Sequence, residues 1–265
     1  MNRVSETQER LFYCMTNKSP LRYPGGKTRA VQIITSYFPK KLETLLSPFI
    51  GGGSIELEVS AKGTFVLGFD IFEPLVEFWQ CLIQCPGELA ERVKEFYPLS
   101  KIDFYKLQKS QNDFDNKILR AAVYYVLNRA SFSGSTLSGG MSPQHPRFTE
   151  SSIERVKNFR NSNIDIKLTD FCESLKKYES VFAYLDPPYL IKSNLYGNKG
   201  DAHKTFNHHK LAEVLKNRNQ WVLSYNECTE IRELYKDFKI INLNWKYGMS
   251  TNKISKEILV FSKDL

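Results

Sequence analysis

The sequence predicts an open α/β sheet interrupted by a mostly helical insertion, and three observations predict it. Seven short apolar runs alternate with helical patterns along most of the 265 residues. The alternation stops between about residue 72 and residue 163. Two of the apolar runs end in stretches suited to close contact with a ligand, SPFIGGGSIELE at 47–58 and AYLDPPYL at 183–190. Strands alternating with helices argue for a sheet whose ligands bind at the strands' carboxyl ends.

The runs at 44–49, 65–69, 164–168, 181–185, 221–225, 240–245 and 257–261 are short and apolar, which reads as buried strands. Helices are predicted between them over 27–38, 54–61, 208–217 and 229–237. Within 72–163 lie three or four further helical patterns, the clearest at 114–130, followed by the Ser/Gly-rich SFSGSTLSGGMSPQHPRF at 131–148, a flexible loop or hairpin. The domain plan is therefore a loose arm at 1–18, a sheet domain from 19–71 and 164–265, and an inserted unit at 72–163. A second long loop, IKSNLYGNKGDAHKTF at 191–206, follows the DPPY stretch directly. Loops of this length beside a strand end are usually either functional or disordered.

Composition narrows the class. With 42% hydrophobic and 25% charged residues the chain is an ordinary globular protein. Thirty-seven Lys and Arg against 29 Asp and Glu give a net charge of +8, spread along the chain. A basic surface suits a polyanionic partner, although charge alone does not choose one. The five cysteines include no CxxC pair and the four histidines fall at no metal-ligand spacing with them, so free thiols of a reducing compartment are expected and a metal is not. No apolar run reaches membrane length and residues 1–16 lack the apolar core of a signal peptide; a cytoplasmic protein is expected.

The stretch 47–58 places Gly51, Gly52 and Gly53 between a strand and a helix that Ser54 can cap. Glycines allow a tight turn and close backbone approach, and a helix N-terminus favours a ligand's polar groups. About twenty residues on, Asp70 closes the next strand, where an acid can accept both hydroxyls of a ribose. A triple glycine alone is most simply a turn; the acid at the second strand end is what turns the reading toward a nucleoside. Glu56 stands where GxGxxG would need glycine, so an adenosyl ligand without pyrophosphate fits better than a dinucleotide.

In LDPPY the two prolines fix the backbone and carry no N–H. The Asp186 carboxylate and the Pro187 carbonyl can then be held as two acceptors, which match the two hydrogens of an NH2 group. Tyr189 offers a ring face on which a planar base can stack. A proline turn ending a strand is the plainer alternative, but it leaves the tyrosine and the upstream glycine loop unexplained. PLRYPGGKTRA at 20–30, with Tyr23 and Lys27, is on its own a common entry from loop to helix.

Together these stretches resemble the D12 class of adenine-specific DNA methyltransferases, the group that includes the Dam enzymes. RYPGGK (22–27) is similar to the family's N-terminal motif, PFIGGGS (48–54) to its methyl-donor motif and LDPPY (185–189) to its catalytic motif. LNRASFSG (127–134), FNHHKLAEVL (206–215), WVLSYNE (221–227) and KEILVFSK (256–263) extend the similarity from about Ser19 to the C-terminus. The motif order is that of the alpha group, whose target-recognition domain is the insertion.

The resemblance implies a Rossmann-like sheet that binds S-adenosyl-L-methionine and leaves S-adenosyl-L-homocysteine, with the helical and hairpin insertion clamping double-stranded DNA. By motif position Tyr23, Lys27, Phe49, Gly51, Gly53, Asp70, Asp170, Phe171 and Asp186 would contact the cofactor. Asp186, Pro187 and Tyr189 would hold a flipped-out adenine, and Arg129, Ser131, Ser133 and Arg147 would contact DNA. The loop at 191–206 would close over the flipped base, with Tyr196 or Lys199 near it. A monomer is expected, in a restriction-modification or phage/host DNA-modification setting where a cognate restriction endonuclease accompanies it. FSGSTLSGGMSPQHPRFT departs from the hairpin of GATC-specific members, so no expectation of GATC as the target follows. The rival readings are methylation of adenine in RNA, of cytosine's amino group or of a protein glutamine, and a catalytically silent DNA-binding module.

Overall fold

A computed structural model describes residues 18–111, 113–142, 147–190, 206–243 and 257–265. Residues 1–17 of the predicted arm at 1–18, residues 191–205 of the loop at 191–206 with Tyr196 and Lys199, and the end of the sixth strand run lie outside the described residues.

The apolar runs assemble into one seven-stranded sheet: β1 (Thr44–Ser47), β2 (Phe65–Asp70), β3 (Ile164–Leu168), β4 (Ala183–Leu185), β5 (Trp221–Asn226), β6 (Lys239–Leu243) and β7 (Glu257–Phe261). Their order is β3-β2-β1-β4-β5-β7-β6. The first five are parallel neighbours, and β7 runs antiparallel between β5 and β6. β1 ends two residues earlier than its apolar run because Pro48 has no N–H to give the ladder.

Successive strand residues point to opposite faces. Leu45, Tyr184 and Val222 enter one hydrophobic cluster, whereas Leu46, Leu185 and Leu223 enter the other. With both faces covered, the strands read in sequence as unbroken apolar runs rather than as alternation.

One face is covered by α1 (Val31–Thr35), α2 (Ser54–Ala61) and the helices of the insertion: α3 (Glu73–Gln84), α4 (Pro86–Lys94), α5 (Lys101–Ser110), α6 (Lys117–Ala130) and α7 (Glu150–Lys157). The other carries α8 (Phe171–Lys177), α9 (His208–Lys216) and α10 (Thr229–Leu234). α1 is shorter than the 27–38 pattern because Lys27 to Ala30 form a turn, Ala30 N donating to Lys27 O at 2.7 Å.

Residues 72–163 share a core with the sheet. Leu75, Val76, Phe78 and Trp79 of α3 pack in the same cluster as Val66 and Ile164 of β2 and β3. α6 is buried without a break from Ala121 to Ala130, and Tyr125 stacks on Phe78 at 5.4 Å. Such all-round burial is possible only for a helix packed on every side. After α6 the chain makes a 3-10 turn, Phe132–Gly134, closed by a single antiparallel bridge between Ser131 and Met141. Phe132 N donates to Gly140 O and Ser142 N to Ala130 O, each at 2.9 Å, on either side of that bridge. Among the described residues no helix is long and apolar enough to cross a membrane.

Candidate active site

The strand order reverses between β1 and β4, and a crevice opens where two neighbouring strands send their connections to opposite faces. The glycine loop follows β1 and the DPPY stretch follows β4, so both motifs face one cavity of about 410 Å³. Tyr23, Lys27, Phe49, Gly51, Gly53 and Asp70 line it. Asp170, Phe171, Asp186 and Pro187 complete the predicted residues on its wall.

The glycine loop needs glycine for two reasons. Gly51 and Gly53 sit at φ +46° and +67°, in the left-handed region that strains L residues. A Cβ on Gly53 would lie 2.8 Å from Trp79 Cζ2, and one on Gly51 would lie 3.0 Å from Tyr23 Cε1. Trp79 Nε1 also donates to Gly51 O at 3.0 Å, so the first helix of the insertion holds the loop. Gly51 N donates to Asp70 Oδ2 at 3.3 Å and Phe72 N to Oδ1 at 3.0 Å, which sets the Asp70 carboxylate at the end of β2.

Phe49, Phe171 and Phe206 meet at ring-centroid distances of 5.5–5.6 Å and form an aromatic corner of the cavity. Asp170 caps α8 by accepting from Cys172 N at 2.7 Å. Its carboxylate is thereby committed in part to the helix start.

At the end of β4 both Asp186 oxygens are held. Lys27 Nζ donates to Oδ2 at 2.7 Å and Ser224 Oγ to Oδ1 at 2.9 Å. Lys27 also donates to Gly25 O at 2.9 Å, so the turn of RYPGGK folds its own lysine back over the catalytic motif. Lys27 thus lines the predicted cofactor cavity, but its ammonium is bound to Asp186. Each carboxylate oxygen keeps a second acceptor direction for an incoming N–H.

Tyr189 departs from the sequence expectation. Its ring is buried at 9% exposure, stacked on Tyr225 at 5.9 Å, with Lys27 Nζ 4.8 Å from its centroid. Its hydroxyl donates to Glu257 Oε2 at 3.0 Å. Tyr225 and Lys27 both lie against the ring, and its hydroxyl and the adjoining main chain are tied to the β5–β7 strand pair, so a base reaches the ring only where Lys27 gives way. Asn226 makes the second tie, accepting from Leu190 N at 3.0 Å and donating to Leu190 O at 3.1 Å.

Two acids of the cavity have altered titration. Burial pushes the Glu56 carboxyl up to about 7, opposed by the 2.6 Å hydrogen bond from Ser47 Oγ. Burial likewise pushes Asp70 up to about 6 against its backbone donors. A carboxyl with a raised folded pKa holds its proton in the folded state, so its contribution to stability is full below the unfolded value and declines as pH rises toward the folded one. For Glu56 that window runs from 4.5 to about 7. Glu56→Gln is therefore expected to gain on the wild type with rising pH, by on the order of 2–3 kcal/mol between pH 4.5 and 8. Urea unfolding across that range checks it, and parallel stability curves for the two proteins would refute it.

The predicted DNA contacts divide. Ser133 and Arg147 are exposed. Arg129 and Ser131 are buried at 8% and 0% exposure. Arg129 donates from Nε to Arg147 O at 3.0 Å and from a terminal nitrogen to Pro20 O at 3.3 Å. Ser131 Oγ donates to Asn128 O at 3.2 Å and accepts from Thr136 N at 2.9 Å. Both side chains brace the loop after α6 and are not placed to touch DNA.

The same loop holds the N-terminal motif. Asn128, fully buried, accepts from Arg22 N and donates to Arg22 O, each at 2.8 Å, and donates to Thr136 Oγ1 at 3.0 Å. Replacing it with leucine leaves buried backbone groups unpaired, and a loss of about 3 kcal/mol of stability is expected. Chemical unfolding of Asn128→Leu measures this, and a loss below about 1 kcal/mol would show the clasp to be dispensable.

A glycine loop after the first strand, an acid after the second, DPPY after the fourth and a reversed strand beside the sheet's edge define a Rossmann-like methyltransferase. The profile of the D12 class N6 adenine-specific DNA methyltransferases matches residues 23–249, and the chain belongs to that family. It is similar to a type II methyltransferase of Lactococcus lactis subsp. cremoris, M1.LlaDCHI, at 24% identity over 83% of this chain and 84% of the relative. It is also similar to the modification methylase StsI of Streptococcus sanguinis, at 27% identity over 74% of this chain and 31% of the relative. The type II methyltransferase M.FokI of Planomicrobium okeanokoites matches at 24% identity over 92% of this chain and 42% of its own length. Against the last two, the chain spans less than half of the relative.

Proposed function

We propose that this chain transfers the methyl group of S-adenosyl-L-methionine to the N6 amino group of an adenine flipped out of duplex DNA. The observation that carries this reading is Asp186, held from two sides by Lys27 and Ser224 on the wall of a cavity shared with the glycine loop.

The cavity's residues suit the cofactor. The glycine loop admits backbone contact that a Cβ would block, the aromatic corner at Phe49, Phe171 and Phe206 suits an adenine ring, and Asp70 suits a ribose. When bound, the cofactor supplies an electrophilic methyl.

The chain's own residues then handle the base. Adenine's amino nitrogen is a weak nucleophile because its lone pair is delocalised into the ring. Asp186 and the Pro187 carbonyl accept its two hydrogens, drawing the nitrogen toward a tetrahedral shape with its lone pair aimed at the methyl. Stacking of the base on Tyr189 takes the space that the Lys27 ammonium occupies over that ring, so Lys27 moves aside as the base enters.

Two neighbouring arginines favour DNA as the partner. Arg22 and Arg147 raise each other's electrostatic potential: burial and then the Arg147 charge lower the Arg22 pKa. Among the described residues neither arginine has an ion-pair partner. Arg22 donates from a terminal nitrogen to Ser131 O at 2.9 Å and directly precedes Tyr23 of the cavity wall, and arginines without a carboxylate partner suit phosphates. Phe132 is 64% exposed on the loop pressed against Arg22, where Gly134 leaves no room for a side chain, and Ser133 lies beside it. Such an aromatic can contact bases at the site of flipping.

Transfer of labelled methyl from S-adenosylmethionine to duplex DNA, to RNA and to protein tests the reading. Label retained by duplex DNA supports it; label on RNA alone, or none, favours the RNA enzyme or the silent module. A modification role beside a restriction endonuclease is the setting that the relatives' names suggest.

A further inference from the structure

We infer that Glu257 is a positioning residue for methyl transfer, a role that rests on the reading above. The carboxylate stands at the start of β7, the one strand of the sheet antiparallel to its neighbours, and its side chain is 5% exposed. From there it reaches two residues of the DPPY site at once. Its Oε2 accepts from the Tyr189 hydroxyl at 3.0 Å and stands 3.8 Å from Lys27 Nζ.

A buried acid facing this site is costly unless it is matched by hydrogen bonds and opposite charge. One ammonium here lies between two carboxylates: Asp186 Oδ2 at 2.7 Å and Glu257 Oε2 at 3.8 Å. When the target amino group takes up Asp186, Lys27 must give up part of that contact while remaining buried. Glu257 is the second carboxylate within its reach, so a small swing of Nζ clears the Tyr189 ring without stranding a charge. The same oxygen fixes the tilt of that ring through the hydroxyl.

The strand register supports a dedicated clamp. Glu257 pairs across the ladder with Asn226, whose side chain grips both main-chain groups of Leu190. Side chain and backbone of Tyr189–Leu190 are thus pinned from adjacent positions on two strands. On this account the tyrosine hydroxyl matters as well as its ring, and Tyr189→Phe is not a silent change.

The test is single-turnover methyl transfer to duplex DNA by the full chain at saturating cofactor, for the wild type, Glu257→Gln, Tyr189→Phe and the double variant, with cofactor affinity and melting temperature measured alongside. Glu257→Gln, which keeps an acceptor for Tyr189 but removes the charge facing Lys27, should lower the transfer rate about tenfold or more with cofactor affinity kept within about threefold. Tyr189→Phe should lower the rate less, and the double variant should lose less than the two single losses combined. A wild-type rate in Glu257→Gln overturns the inference, as do rate losses that simply add. If Glu257→Gln fails to fold, Tyr189→Phe decides: a reduced rate with cofactor binding intact supports the inference, and an unchanged rate overturns it. A wild-type chain that methylates no duplex DNA overturns the underlying reading and this inference with it.

Discussion

Asp186→Ala is expected to abolish methyl transfer, by about a thousandfold or more, while the protein still folds and still binds S-adenosylmethionine. The carboxylate is the only charged acceptor in DPPY, and the Tyr189 hydroxyl is turned to Glu257, so removing the carboxylate leaves the amino group with the Pro187 carbonyl. Folding should survive because Lys27 keeps the Gly25 carbonyl at 2.9 Å and has Glu257 within reach. Cofactor binding should survive because the glycine loop, Asp70 and the aromatic corner do not depend on this side chain. Asp186→Asn should lose nearly as much activity despite its shape, since one of its two amide positions becomes a donor facing Lys27 or Ser224. Single-turnover kinetics with calorimetric cofactor binding would check both, and activity within tenfold of wild type in Asp186→Ala would remove the residue from the mechanism.

Gly53→Ala is expected to do the reverse, removing cofactor binding rather than chemistry. Alanine at φ +67° carries about 1–2 kcal/mol of strain. Its methyl would also lie 2.8 Å from the Trp79 ring, which is itself buried and hydrogen-bonded to Gly51. The loop must therefore shift by several tenths of an ångström where backbone and ligand are to meet. Cofactor affinity should fall about a hundredfold, equivalent to roughly 2.7 kcal/mol. Titration calorimetry measures it directly; an unchanged dissociation constant would mean that the loop does not contact the ligand.

Much of the fold is legible in the sequence because both faces of the sheet are covered. Runs such as Trp221–Tyr225 and Glu257–Phe261 are apolar at nearly every position and announce themselves as strands. The glycine loop, Asp70 and DPPY are legible because each is a local pattern at a strand end, and the cavity unites them.

What the sequence hides depends on contacts between distant residues. Nothing around Trp79 indicates that its indole will support Gly51, twenty-eight positions away. Asn128 reads as one more polar residue on a helix, yet it clasps the backbone of Arg22 across 106 positions. Glu257 begins a strand whose pairing with β5 alone brings it to Tyr189. Arg129 and Ser131 mislead for the same reason. A charged or hydroxyl side chain beside a glycine-rich loop looks like a surface contact until the burial of α6 on all sides turns it inward.

The central claim is that this site methylates the amino group of adenine in duplex DNA. Enzymatic hydrolysis of duplex DNA treated with the chain and labelled S-adenosylmethionine, followed by separation of the nucleosides, tests it most directly. The account predicts that the label co-migrates with N6-methyldeoxyadenosine and is lost in Asp186→Ala. Label in a methylated cytosine, or no label in DNA while RNA or protein is modified, would contradict it.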